Sequence, residues 1–145
     1  MSRSLAAIAL AAGVLTVGVL VAGCAGGIQS TDIFIVQRTG SVPGAHLTLL
    51  INEEGGVQCN GGPMLKLSDP ALVQARAIQE ELHEDELAAR HTVLPPQPGS
   101  VLSYYLRDED GSVRFADNSA REPKVFRNLA LLVLQTAQQI CHLPM

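Results

Sequence analysis

Hydrophobic and polar positions follow three rhythms along the chain. Residues 5–23 are apolar or small throughout, carry no charge, and contain Thr16 as their one hydroxyl. Beyond residue 31, short runs of β-branched and aromatic residues begin. Asp32–Arg38 (DIFIVQR) predicts a strand. Gly40–Gly44 (GSVPG) reads as a turn and Ala45–Asn52 (AHLTLLIN) as a second strand. Glu53–Gly56 reads as a hairpin loop and Val57–Asn60 as a third strand, closed by Gly61-Gly62-Pro63.

The period then lengthens. Asp69 is a good N-cap and Pro70 suits a first helical position. Ala71, Ala75, Ile78 and Leu82 fall on one stripe with Leu72 beside it, while Glu80, Glu81, Glu84, Asp85 and Glu86 lie largely off it. This predicts a helix over Pro70–Arg90. Leu94–Ser100 (LPPQPGS) is a rigid loop, because its three prolines continue neither helix nor central strand. Val101–Arg107 and Ser112–Asp117 flank Asp108–Gly111 (DEDG) as a second hairpin. Ser119-Ala120-Arg121-Glu122 matches a capping box, opening a helix from about Glu122 to Cys141. Leu129–Leu134 (LALLVL) is apolar nearly all round, so this helix is expected to be the more buried one.

EGGVQC (Glu54–Cys59) aligns with DGSVRF (Asp110–Phe115) at an offset of 56, and each hairpin leads into a proline-opened helix. A ββα unit used twice points to an α+β fold: one antiparallel sheet of about five strands with two helices on one face. A lone hairpin is unstable in water, so the helices must cover the sheet.

Composition changes the picture mainly at the N-terminus. The chain has 145 residues and a net charge of -4, which suits one domain plus a targeting segment and argues against a nucleic-acid partner, which needs a basic face. Arg3 precedes the apolar run, as in a signal peptide. Val21-Ala22-Gly23-Cys24 resembles the bacterial lipobox: a branched apolar residue, two small ones, then Cys. The resemblance implies a lipoprotein signal peptide over residues 1–23. Cys24 would carry a diacylglyceryl thioether, and Ala25–Thr31 would be a short tether. A single domain would occupy residues 32–145. The mature chain keeps nine basic residues against 14 acidic ones, a balance of -5. The seven tether residues reach at most about 25 Å, which holds the domain near the extracytoplasmic face of the membrane. An uncleaved anchor and a plain secreted protein are the alternatives.

Cys59 and Cys141 then remain. In an oxidising compartment two such cysteines pair, and the connectivity is unique. Two buried free thiols, or a reactive Cys141, are the alternatives. No CxxC or Cys–His spacing suggests a metal.

GSVPGAHLTLLINEEGGVQCNGG, the QAR of the first helix and LQTAQQIC near the C-terminus are similar to a set of small exported actinobacterial proteins. That resemblance covers most of the mature chain and implies the disulfide and the fold together, but no activity. The sheet-plus-two-helices plan is also similar to the subtilisin-inhibitor family of those bacteria, although its paired disulfides and Cys-rich reactive-site loop are missing here.

Candidate chemistry is sparse. HEDELAARH (His83–His91) fails the H-E-x-x-H zinc pattern, since Leu87 stands four residues after His83. Glu80, His83 and Glu84 share a helix face, which reads as a solvated acidic surface, with a weak divalent-cation site as the alternative. The acidic tips Glu53-Glu54 and Asp108-Glu109-Asp110 could gather at one end of the sheet, but lack EF-hand spacing. Ser41, Ser68, Ser100, Ser103, Ser112 and Ser119 lie outside any GxSxG elbow. His46 and His142 read as structural or exposed, and CNGG as a turn. Tyr104 and Tyr105 alternate across a strand, one expected in the core and one facing a partner. No catalytic residue, metal or cofactor is therefore expected. The expected function is a membrane-anchored, non-enzymatic binding or envelope-interaction module for a protein or small-molecule ligand. A protease inhibitor acting through Leu94–Ser100 and an unrecognised hydrolase are the alternatives.

Overall fold

The computed structural model describes residues 31–144. The leader, Cys24 and residues 25–30 of the tether lie outside the described residues. The order of elements is β1 (Asp32–Gly40), β2 (Leu47–Asn52), β3 (Gly56–Cys59), β4 (Met64–Lys66), α1 (Asp69–Glu84), β5 (Leu102–Arg107), β6 (Ser112–Ala116) and α2 (Lys124–Gln139). The fold is α+β. The six strands form one sheet in the order β4-β3-β2-β1-β5-β6, with every named strand pair antiparallel.

The expected hairpins β2–β3 and β5–β6 are present, and β1 joins them by pairing with β2 on one side and β5 on the other. A sixth strand, β4, extends the sheet beyond the five expected. Its three residues follow Gly61-Gly62-Pro63 too closely to show a period, and pairing with Gly56–Gln58 defines it. At the opposite edge Val93 bridges to Arg114 in parallel: the Leu94 N–H donates to the Arg114 carbonyl and the Arg114 N–H to the Thr92 carbonyl, so the loop before β5 covers that edge.

Alternation assigns the faces. Phe34, Val36, Leu47, Leu49, Ile51, Val57, Tyr104, Leu106, Val113 and Phe115 are buried on one side. A register shift between Asp32 and Phe34 lets Ile33 sink into the core beside Phe34. Ala75, Ile78 and Leu82 of α1 and seven residues of α2 from Val125 to Ala137 pack into the same core. Tyr104, Phe115 and Phe126 stack in succession, with ring centroids 5.0 and 4.6 Å apart, tying β5, β6 and α2 together.

The two helices start and stop differently from their sequence signals. α1 is preceded by Ser68 in extended conformation, without a side-chain cap. It ends at Glu84 rather than near Arg90, and Glu86 turns left-handed at φ 52°. Three consecutive acidic residues, Glu84 to Glu86, sit badly at the negative end of a helix dipole. Residues 85–91 continue as turns that still bury Ala88. The expected capping box does not form. A residue before proline is pushed out of helical geometry, so α2 waits until after Pro123. Ser119 instead accepts from the Ala116 N–H at 2.9 Å, and its hydroxyl meets the carbonyls of Leu94 and Pro95 at 3.2 and 3.1 Å.

Arg38 is the largest polar side chain in the core, at 1% exposure. Its Nε donates to the Ala45 carbonyl at 3.1 Å and a terminal nitrogen donates to the Gly44 carbonyl at 2.8 Å. The β1–β2 turn is thus organised from within. Gly44 has φ +72°, and a Cβ there would stand 2.1 Å from the Pro144 carbonyl oxygen, so the C-terminal segment fits only against a glycine.

Candidate functional site

The helices cover one face of the sheet and leave the other open. Its side chains stand in two cross-strand rows fixed by register. The first runs Gln58–Leu50–Ile35–Arg107 over β3, β2, β1 and β5. The second runs Thr48–Gln37–Tyr105–Arg114 over β2, β1, β5 and β6. Between these rows and the rim residue Gly61 lies a groove of about 320 Å³. Ile35, Leu50 and Tyr105 are half-buried along its floor, with exposed Gln37, Thr48 and Arg107 around them.

The composition of the groove runs across the strands. Neutral amide and hydroxyl groups lie toward β3, two aliphatic side chains occupy the middle, and aromatic and cationic groups lie toward β5 and β6. The exposed Arg114 guanidinium sits 5.0 Å from the centre of the Tyr105 ring, within cation–π range. Arg107 is opposite Ser112, so Arg107 and Arg114 are diagonal neighbours across the β5–β6 pair. Among the described residues, the one charged residue lining the groove is Arg107.

The tight turn CNGG shapes the β3 rim. Asn60, at φ 52°, accepts the Thr48 N–H through Oδ1 at 2.8 Å and donates its own N–H to the Thr48 carbonyl at 2.7 Å. Gln58 Nε2 donates to the Gly62 carbonyl at 2.7 Å. The Asn60–Thr48 bonds continue the β2–β3 ladder beyond Cys59, and the Gln58 bond braces the turn.

Other sequence candidates lie elsewhere. Cys59 and Cys141 form a disulfide, with Cα atoms 5.8 Å apart, that joins the end of β3 to the segment after α2. Both acidic tips stand at the Asp32 end of the sheet, and α1 meets each of them. Arg76 bonds Glu53 through Nε at 3.1 Å and bonds the Glu53 carbonyl at 2.6 Å. His83 Nδ1 lies 2.7 Å from Asp110 Oδ2, and the Asp110 partner raises the imidazole pKa above its ordinary value of 6.5. Glu80 and Glu84 thus share their helix face with a histidine engaged by the hairpin tip. Among the described residues no group of three or more His, Cys, Asp or Glu is placed to hold a metal ion.

Asp108 is 5% exposed. Its Oδ1 accepts the N–H groups of Asp110 and Gly111 at 3.0 and 2.9 Å, while Oδ2 is buried without a hydrogen-bond partner. Burial pushes this carboxyl above the usual carboxylate range. Ser112 Oγ approaches His91 Nδ1 at 3.1 Å on an exposed surface. His46 and His142 are exposed. Of the tyrosine pair, Tyr104 is buried against Phe115 and Tyr105 faces the groove.

Sequence reasoning expected one of Tyr104 and Tyr105 to face outward without saying which, and it missed Ile35 and Leu50. Their signal was present: IFIV (Ile33–Val36) and LLI (Leu49–Ile51) are apolar at consecutive positions, where a strand with one solvated face alternates. The centre of this sheet is apolar on both faces.

The architecture is an antiparallel sheet with helices on one face and a groove on the other. No family model, curated protein sequence or solved structure matches the chain.

Proposed function

We propose that this protein is an extracytoplasmic, membrane-anchored binding module without enzymatic activity, and that the open sheet face is its binding surface. The groove over Ile35, Leu50 and Tyr105 carries the reading. It combines an apolar floor with a few convergent polar groups, the usual make-up of a ligand site. The floor side chains come from three central strands whose other face is fixed in the core, so the surface is preorganised. The lipobox-like Val21–Cys24 supports the anchor, with the domain joined to it through the tether that leads into β1.

The loop Leu94–Ser100 gives weaker support to an inhibitor. A loop presented to a protease cleft as an added strand must offer backbone N–H groups. Here three positions are proline, Leu94 and Ser100 donate to Arg114 and Gln97 carbonyls, and Gln97 donates to Asn118 Oδ1. Outside Gly99, each donor is missing or used inside the fold.

Two measurements test the proposal. Cys24→Ser is expected to abolish acylation and move the protein out of the membrane fraction; acylation that persists overturns the anchor. In a thermal-shift screen of small molecules, compounds that raise Tm are expected to lose that effect in Tyr105→Ala. Chemical turnover of such a compound by the native protein overturns the non-enzymatic reading.

A further inference from the structure

We propose that Leu94–Ser100 is a preformed proline ridge that docks into an aromatic-lined groove on a different protein. This interaction is separate from the groove on the open sheet face and does not depend on it.

The backbone of the ridge follows from its residues. A proline ring holds φ near about −65°. Leu94, Pro95 and Gln97 each precede a proline, which pushes their ψ to extended values. Pro95 meets both constraints at once, and together they define polyproline II. Residues 94–97 accordingly form neither helix, strand nor turn. The ridge then closes: Ser100 donates its N–H to the Gln97 carbonyl at 3.1 Å across Pro98 and Gly99, and Gly99 stands at φ 87°. Proline followed by a left-handed glycine is a type II turn, whose first central residue is itself extended, so the ridge runs on through Pro98.

The segment after β6 braces this conformation. Asn118 Oδ1 accepts the Gln97 N–H at 2.9 Å, and its Nδ2 donates to the Gln97 and Pro98 carbonyls at 3.1 and 3.3 Å. The Ser119 hydroxyl meets the Leu94 and Pro95 carbonyls. The Ser100 hydroxyl donates to Asp117 Oδ1 at 2.7 Å. The bonded carbonyls are turned toward the fold, while Pro95, Pro96, Gln97 and Pro98 are all exposed. A surface already held in one conformation loses little entropy when a partner binds.

The kind of partner follows from what the ridge offers. Polyproline II repeats about every three residues, so Pro95 and Pro98 share one edge. Aromatic-lined grooves read this PxxP spacing by packing flat rings against proline. Exposed Val93 and Val101 extend the apolar contact at either end. Between Leu94 and Pro98, the Pro96 carbonyl is the one without a hydrogen-bond partner among the described residues, which leaves it to accept from a Trp or Tyr of the groove. A second copy of this chain does not supply such a groove. It has three Phe, two Tyr and no Trp, and all but Tyr105 are buried.

The test uses the full chain in its native host, with photoreactive p-benzoylphenylalanine replacing Gln97 or, as a control, the exposed Gln138 of α2. Irradiation is expected to give an adduct with a different protein from position 97 and none from position 138. Peptide mapping is expected to place the crosslink in a groove lined by at least two Trp, Tyr or Phe side chains. Pro96→Ala leaves every bracing bond in place and is expected to lower the adduct yield about fivefold; Asn118→Ala keeps the prolines but frees the ridge and is expected to lower it about threefold. Urea melts on each variant confirm that it is folded. No adduct from position 97, equal adducts from both positions, or a yield unchanged by Pro96→Ala overturns the ridge as a docking surface. An adduct with a second copy of this chain, or with a surface lacking aromatic side chains, overturns the partner class.

Discussion

Arg38 shows how much one side chain can organise. A guanidinium at 1% exposure is tolerated because its donors meet the Gly44 and Ala45 carbonyls. Removing it leaves those carbonyls buried and short of a donor, at about 1–3 kcal/mol each. Arg38→Met is therefore expected to cost about 2–4 kcal/mol in urea denaturation, although it preserves apolar volume. Nothing in QRTG distinguishes this arginine from a solvated one. Its burial follows from strand parity, which puts residue 38 on the same face as Phe34 and Val36.

His83 makes a second residue-scale case. Asp110, with smaller contributions from Glu109 and Asp108, favours the imidazolium, so the folded pKa lies above 6.5. In an NMR titration, Asp110→Asn is expected to bring His83 back toward 6.5. A value that stays raised would mean the hydrogen-bonded pair is not the cause. The helix face was legible in the sequence as an acidic surface, but the partner 27 residues away was not.

At the scale of elements, the disulfide and the aromatic stack perform the same task by different means: both fasten α2 to the sheet. The Cys59–Cys141 bond closes a separation of 82 residues. Chain-entropy reasoning gives about 4–5 kcal/mol for a loop of that length. Cys59→Ser with Cys141→Ser is expected to lower the guanidinium midpoint by a loss of about 2–5 kcal/mol without changing the far-ultraviolet dichroism of the folded state. Phe126, fully buried and stacked on Phe115, is expected to cost about 3–5 kcal/mol as Phe126→Ala. The elements themselves were largely readable. Period separated both helices from the strands, and turn residues marked both hairpins. Their ends were not, because Ser119 was drawn into the loop before β5 rather than the helix cap, and β4 has no period of its own.

For the whole molecule, pH exposes how charge is distributed. Burial raises the carboxyl pKa of both Asp108 and Glu122 above their ordinary values of 3.8 and 4.5. A carboxyl with a raised folded pKa binds its proton more tightly in the folded state. It therefore favours folding below its unfolded pKa, and that contribution is lost as pH rises through the folded value. His83, also raised, adds a contribution present below 6.5 and lost as pH rises through its folded pKa. All three run in the same direction. Unfolding free energy contributed by these groups is expected to fall between mildly acidic and neutral pH, and Asp108→Asn is expected to flatten the acidic part of that decline. An unchanged profile in urea melts would mean that the buried Oδ2 is not a source of the effect.

The amino-acid sequence by itself determined the classes of element, their order, and the α+β character, because hydrophobic period and turn residues are local properties of the backbone. Counting cysteines after the lipobox-like motif also left a single pairing to expect, and the fold brings that pair together. Tertiary structure decided what local period cannot carry. Cross-strand register joined Leu50, Ile35 and Tyr105 from three separate segments into one groove, and it set Arg114 on Tyr105. Helices packed on only one face left that groove open. Which face of a sheet stays exposed depends on where distant helices land, and no stretch of chain shorter than the whole domain encodes that.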